Sequence, residues 1–341
     1  MRKSTWLAAA LGVGGTLVAA NAYAGADLDA IMARGSLVCG VNVGLAGFSI
    51  PDSQGVWTGL DVDYCKAVAA ALFGDADKVS YVPLSAQQRF TALQSGEIDI
   101  LSRNTTWTLT RDASLGINFA GVTFYDGQGF MVPAALGVTS ASELDGATVC
   151  VQSGTTTELN LADYFRGAGM SFEPVVIESF DESKTAFFNG RCDVYTTDAS
   201  GLAAIRAVDA ANPDDYVILP EIISKEPLGP AVRQGDDQFF NIAKWVLNLL
   251  IEAEEYGITS ANVDEMMGSD NPNIQRLLGV SPGMGELLGL SNDWGVNVIK
   301  AVGNYGEIFD RNVGPDTPLR LERGLNALWS HGGIMYAPPI R

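Results

Sequence analysis

Residues 79–102 read VSYVPLSAQQRFTALQSGEIDILS, and the fold class turns on this stretch. Val79 to Leu84 is an apolar run of strand length. Ser85 then offers its side-chain oxygen to the first free N–H groups of a helix, which Gly96 closes, as glycine does at helix ends. Residues 97–102 form a second strand. A strand, a helix and a strand in direct succession make a βαβ unit, whose strands run parallel because the helix returns the chain across the sheet. Upstream, 36–43 and 61–73 read as the preceding strand and helix, and downstream a helix starts at Thr110-Arg111-Asp112. After the glycine-rich run Phe124-Tyr125-Asp126-Gly127-Gln128-Gly129 the alternation restarts. Strands fall at 148–152, 173–177, 192–197 and 216–219, with helices at 158–166, near 181–189, and from Asp198-Ala199-Ser200 onward. Lys225-Glu226-Pro227-Leu228-Gly229-Pro230 reads as a return crossover, and an amphipathic helix runs from Asp236 to about Glu255. A chain that builds one α/β lobe, leaves it for a second and comes back has two connections at one hinge and a cleft between lobes. The expected boundaries are 25–127 for the first part of lobe 1, 128–226 for lobe 2, and 227–341 for the return to lobe 1 with a helical extension.

With 47% hydrophobic and 18% charged residues in 341, the chain has apolar material for sizeable cores and too little charge to stay disordered. Forty acidic against 21 basic residues, a net charge of −19, argue against a nucleic acid or an anionic membrane as partner. A single histidine, His331, leaves no multi-histidine metal site, and any nucleophile–histidine–acid triad would have to use it. Gly12-Val13-Gly14-Gly15 lies in the leader, and no glycine fingerprint opens a helix after a strand, so no dinucleotide or other cofactor is expected. Residues 1–24 read as an export signal. Arg2-Lys3 precede an apolar run over 6–20, and Ala22-Tyr23-Ala24 supplies small residues for cleavage after Ala24, which would put the mature protein in the periplasm. Export directs cysteines toward disulfides. The four here, Cys39, Cys65, Cys150 and Cys192, allow three pairings. Cys39 and Cys65 lie on the first strand and helix, Cys150 and Cys192 on two later strands, and pairing within each group would staple each lobe once.

Ligands of open α/β sheets bind beyond the carboxyl ends of strands. Three loops there carry complementary chemistry: Asn104-Thr105-Thr106-Trp107-Thr108-Leu109-Thr110-Arg111, Ser153-Gly154-Thr155-Thr156, and Asp198 at the end of its strand. Arg111 offers a bidentate fork for a carboxylate. The N–H groups of Thr155 and Thr156, at a helix start, offer anion donors from the opposite lobe. Asp198 offers an acceptor for an ammonium. Together they complement an α-amino acid.

The order of these segments resembles that of the extracellular solute-binding proteins of family 3, the polar amino-acid receptors of ABC importers. The resemblance covers roughly 35–245. It is carried by Gly59-Leu60-Asp61-Val62-Asp63, Leu93-Gln94-Ser95-Gly96-Glu97-Ile98-Asp99, the threonine-rich loop ending in Arg111, Gln152-Ser153-Gly154-Thr155-Thr156, and Gly190-Arg191-Cys192-Asp193 with Asp198. Within the family it looks most like the general amino-acid-binding and the glutamate/glutamine/aspartate/asparagine-binding members, which share the Asn-Thr-Thr-Trp-Thr run and a long extension like that after about Ile258. The resemblance implies an α/β periplasmic-binding-protein fold of type II, a polar L-amino acid as ligand, an inner-membrane ABC permease as partner, and a monomeric receptor that is not an enzyme. By it, Arg111 would grip the α-carboxylate, Thr106 and Asn104 would bond the head group, Thr155 or Thr156 would add a contact from lobe 2, and Asp198 would take the α-ammonium. Arg89 matches the arginine that acidic-amino-acid receptors present to the ligand side chain. Leu45 stands where many relatives stack an aromatic residue, and no histidine lies near Phe180; both imply a site broader than one for acidic side chains alone. An exported dehydratase-like enzyme is the alternative. It needs a positioned acid or base, and the sequence offers only Asp198. A sensory ectodomain would need a membrane segment downstream. The extension is expected to cover lobe 1, since Trp294, Val298, Ile299 and Val302 recur at helical spacing.

Overall fold

Alternating strands and helices from Leu37 to Arg233 feed two five-stranded sheets. The computed structural model describes residues 25–341, so the export-signal reading of residues 1–24 lies outside them. Helix α1 (Ala26–Arg34) leads into β1 (Leu37–Asn42), a small hairpin of β2 (Ile50–Pro51) and β3 (Trp57–Thr58), then α2 (Leu60–Phe73), β4 (Val79–Leu84), α3 (Gln88–Ser95), β5 (Ile100–Leu101), α4 (Leu109–Ser114) and β6 (Ile117–Phe119). Strand β7 (Phe124–Asp126) passes out of this lobe. The second lobe comprises β8 (Gln128–Pro133), β9 (Thr148–Gln152), α5 (Thr156–Ala168), β10 (Glu173–Ile177), α6 (Phe180–Phe188), β11 (Val194–Asp198), α7 (Ala199–Val208) and β12 (Tyr216–Ile218). Strand β13 (Glu226–Leu228) returns the chain to β14 (Ala231–Arg233) and α8 (Asp237–Glu255). The rest is helical: α9 (Val263–Met266), α10 (Pro272–Leu277), α11 (Met284–Leu288), α12 (Trp294–Val302) and α13 (Tyr305–Asn312).

The first sheet has the order β4-β1-β5-β14-β6 and the second β10-β9-β11-β8-β12. In each, four strands run in one direction and one strand beside the crossover, β14 or β8, runs antiparallel to both its neighbours. Pro83 is tolerated because β4 is an edge strand. Strands β7 and β13 pair antiparallel, with Asp126 opposite Glu226, and form the hinge. Sequence patterning misses α1, β6 and β14, which are too short or too polar to announce themselves. It also shifts some boundaries. The helix expected from Ser85 begins at Gln88, whose N–H bonds Ser85 Oγ at 3.2 Å. The strand expected from Cys192 starts at Val194.

Lobe 1 packs the aliphatic face of β1 (Val41 and Cys39) against Val62, Tyr64 and Val68 of α2 and against α8. Lobe 2 buries Phe130, Val132, Val149, Val151, Leu161 and Phe165. Disulfides Cys39–Cys65 and Cys150–Cys192 staple one lobe each, the within-group pairing expected. The extension covers lobe 1: Trp294, Val298, Ile299 and Val302 are all buried, on one face of α12. Asp63 of α2 anchors α13 by accepting from Arg311 Nε at 2.9 Å and Asn312 Nδ2 at 2.6 Å. Farther on, Asn326 accepts from the Tyr125 N–H at 2.6 Å and donates to its carbonyl at 3.1 Å, which fixes the hinge strand β7 to the extension. No helix among the described residues is long and apolar enough to cross a membrane.

If the extension is part of the lobe-1 core, Trp294→Ala lowers unfolding stability by about 3–5 kcal/mol, the usual range for an aromatic truncated in a core. Denaturant unfolding at constant m-value measures it; a loss below about 1 kcal/mol would make α12 a peripheral cover.

Candidate functional site

The carboxyl ends of β1 and β5 in lobe 1 face those of β9 and β11 in lobe 2. On the lobe-1 wall, the loop after β5 is held from beneath by Asp61, at the start of α2. Its carboxylate accepts from Ser102 Oγ at 2.9 Å and the Asn104 N–H at 2.8 Å, and burial pushes its pKa up to about 6 despite these bonds and nearby Arg103. The α2 start needs Gly59, because a Cβ there would lie 2.1 Å from the Phe48 carbonyl oxygen. Asn104 takes a φ of +32°, uncommon for a residue with a side chain and more tolerable for asparagine than for most. Its Oδ1 accepts from Asn42 Nδ2 at 2.9 Å.

Three arginines are buried here: Arg89, Arg103 and Arg111. The guanidinium carbons of Arg89 and Arg111 lie 5.0 and 5.1 Å from the centre of the Phe90 ring, within cation–π range. Arg111 donates through Nη1 to the Thr106 carbonyl at 2.9 Å, and Arg103 through Nε to the Leu84 carbonyl at 2.9 Å. Burial lowers the pKa of all three; mutual repulsion adds to this at Arg89 and Arg103.

The opposite wall begins with α5. Thr155 caps it, accepting from the Glu158 N–H at 3.2 Å and donating to the Gln152 carbonyl at 2.7 Å. Gly154 has a φ of +74°, and a Cβ there would meet Gln87 of lobe 1 at 2.9 Å, so glycine lets the lobes shut. Asp198 ends β11 and occupies the cap position of α7 without capping it, which leaves the carboxylate for the cleft.

The hinge supplies the remaining charge. Glu226, 1% exposed, accepts through Oε2 from Thr106 Oγ1 of lobe 1 at 2.6 Å and Thr156 Oγ1 of lobe 2 at 2.8 Å. Its Oε1 accepts from Asn160 Nδ2 at 2.7 Å and Ser224 Oγ at 2.6 Å. Its cross-strand neighbour Asp126 accepts from the Gly127 N–H at 2.8 Å and from Ser200 Oγ. Burial, then the charges of Asp126 and Glu226, push the Asp198 pKa well above its ordinary value, against the pull of Arg89 and Arg111. Asp126 rises to about 6, chiefly by burial.

Of the residues singled out by sequence, Asn104, Thr106, Thr155, Thr156, Arg89 and Asp198 line one cavity between the lobes, of about 30 Å³. Arg111 lies behind Thr106 and does not line it. Sequence reading missed Asn42, Arg103, Phe180 and Glu226 as members of the site. Arg103 falls between the strand read to Ser102 and the loop read from Asn104, and Glu226 sits inside the return crossover; the usable signal is a charged residue at a strand end and in a hinge.

Two α/β lobes on a two-strand hinge, shut over a charged cleft at their strand ends, define a two-lobed solute-binding protein with the type II periplasmic-binding fold. The model of the bacterial extracellular solute-binding proteins, family 3, matches residues 37–262, and the chain belongs to that family. It is 60% identical to the general L-amino acid-binding periplasmic protein AapJ of Rhizobium johnstonii, over 99% of this chain and all of that one. It is 56% identical to the glutamate/glutamine/aspartate/asparagine-binding protein BztA of Rhodobacter capsulatus, over 94% of this chain and 95% of that one. A solved ABC transporter/periplasmic binding protein from Brucella ovis with glutathione bound aligns with a TM-score of 0.91 at 57% identity, covering 92% of this chain and 99% of that one.

Asp61 and Asp126 have pKa values raised to about 6 from an ordinary 3.8, so the folded protein holds protons that the unfolded chain has released. The stabilisation from protonating them is complete below 3.8 and is lost as pH rises through 6. Exposed acids with lowered pKa, such as Asp145 and Asp193, titrate below this window. The melting temperature of the unliganded protein should therefore rise as pH is lowered from 7.5 to 5; a flat or falling profile by differential scanning fluorimetry would contradict the burial argument.

Proposed function

We propose that this protein is the periplasmic receptor of an amino-acid ABC importer, which captures polar L-amino acids by lobe closure and presents them to an inner-membrane permease. The carrying observation is the opposition of basic and acidic groups in one cleft: buried arginines on the lobe-1 side, and Asp198 with two hinge acids on the other. An ammonium there would bring the raised pKa values of Asp198 and Asp126 back down. A zwitterionic head group fits that opposition and satisfies charges that are costly to bury unpaired. In this reading the α-carboxylate goes to Arg111, which has further N–H donors beside the one engaged by Thr106, and to the Asn104 amide and the N–H groups of Thr155 and Thr156 at the α5 start. The α-ammonium goes to Asp198. The Thr106 and Thr156 hydroxyls donate to Glu226 and keep lone pairs for the same ammonium. Arg89 faces the side chain, with Leu45 and Phe180 as apolar walls. A cavity of about 30 Å³ admits little more than water, so the ligand enters with the lobes apart and is enclosed as they swing about β7 and β13.

The name of BztA supports glutamate, glutamine, aspartate and asparagine as ligands, and that of AapJ a broader range. Both relatives are named as binding proteins, which supports a receptor over an exported enzyme. In this reading the chain is a monomer, cleaved after Ala24. Its lobe boundaries fall at 127 and 226, a division supported by the pairing of β8 to β12 within one sheet.

A thermal-shift screen of the twenty amino acids tests the class. A ligand at a hundred times its dissociation constant adds about 2.7 kcal/mol of stability, and no shift with any amino acid would overturn the receptor reading. Arg111→Ala and Asp198→Asn should each remove about 2–5 kcal/mol of binding by calorimetry while leaving the protein folded. Unchanged affinity would take that residue out of the site.

A further inference from the structure

We propose that Arg103 is a specificity-determining residue of this cleft, forming a second oxyanion subsite that reads the ligand's side-chain carboxylate in preference to an amide. This rests on the amino-acid-receptor reading and names the residue that sets its selectivity. Arg103 is 2% exposed, leaves β5 on the loop anchored by Asp61, and lines the cavity between the lobes. Its Nε donates to the Leu84 carbonyl, while its buried Nη2 finds no acceptor among the described residues. The buried Nε of Arg89, on the same cavity, finds none either. Buried donors are nearly always paired, and two unpartnered guanidinium N–H groups on residues that line one small cavity point to an acceptor there.

The head group does not supply that acceptor. In the proposed reading Arg111, set behind Thr106 in the shut cleft, answers the α-carboxylate of a ligand that enters with the lobes apart, and Asp198 with the hinge acids answers the ammonium. Two guanidiniums remain, and a second carboxylate on the ligand matches them. Arg103 is the better fixed of the two. Leu84 and the Asp61-anchored loop hold its fork, whereas Arg89 lies over Phe90 and makes only long hydrogen bonds, 3.5 Å to Thr105 Oγ1 and 3.4 Å to the Gly154 carbonyl of lobe 2. A pre-oriented fork pairs with a carboxylate through charge-assisted hydrogen bonds, while an amide offers one neutral carbonyl oxygen.

The test is calorimetric titration of the mature protein with L-glutamate and L-glutamine, for wild type, Arg103→Met and Arg103→Lys. Methionine removes the donors; lysine keeps the charge and loses the fork. With methionine, glutamate affinity should fall about 30-fold or more and glutamine affinity at least tenfold less than that, with lysine intermediate for glutamate. An equal loss for both ligands would make Arg103 part of the framework, and no loss would turn it away from the ligand; either result overturns the proposal. If the methionine variant melts too low to titrate, the glutamate-to-glutamine ratio of the lysine variant decides. Wild-type protein that binds neither ligand removes the receptor reading and the subsite together, whereas wild-type binding with an unchanged ratio in the variants removes the subsite alone.

Discussion

A carboxylate shut away from water must be surrounded by donors, and the position of Glu226 makes that requirement organise the molecule. Its two oxygens accept four side-chain hydrogen bonds, from a lobe-1 threonine, two lobe-2 residues and a serine beside the hinge strand. Only with the lobes shut are all four available, so satisfying this group couples hinge, lobe 1 and lobe 2. Asp126 faces it across the β7–β13 pair, a juxtaposition of like charges that is unfavourable unless something positive lies near. The buried arginines provide part of that, and an ammonium between Asp198 and the hinge would provide the rest. Stability of the shut form and affinity for a zwitterion are in this sense one electrostatic problem.

The rest of the fold serves to hold those charges still. Asp61 fixes the Arg103–Asn104 loop, Phe90 lies against two guanidiniums, and Thr155 caps α5 so that its first N–H groups face the cleft. Disulfides stiffen each lobe separately and leave the hinge free. The extension buries Trp294 in lobe 1 and grips β7 through Asn326, so it supports the hinge strand as well as the core.

Much of this was legible in the sequence because it rests on short-range rules. Strand–helix alternation, glycine at helix ends and polar loops after strands carry the two-lobed α/β architecture and the places of Thr155, Thr156 and Asp198, while Arg89, Asn104 and Thr106 come from the resemblance to family 3. What stayed hidden depends on distant partners. Glu226 reads as one residue of a proline-rich crossover, and only the pairing of β13 with β7 turns it into a buried acceptor. Arg103 lies unremarked between a strand and a loop, and takes on meaning only when Leu84 and Asp61 are brought beside it. Arg111 is expected at the ligand carboxylate, and the shut cleft sets it behind Thr106 with one donor engaged there and others left over. Asp198 carries the helix-start pattern and is not a cap, since its carboxylate turns to the cleft.

The central claim is that this cleft recognises both charges of an α-amino acid at once. Calorimetric titration with L-glutamate, with glutarate, which lacks the ammonium, and with γ-aminobutyrate, which lacks the α-carboxylate, tests it directly. Because each deletion leaves buried protein groups unpaired, a loss of about 2–5 kcal/mol, roughly 30-fold to several thousandfold in affinity, is expected for both analogues. Glutarate or γ-aminobutyrate binding as tightly as glutamate would contradict the account.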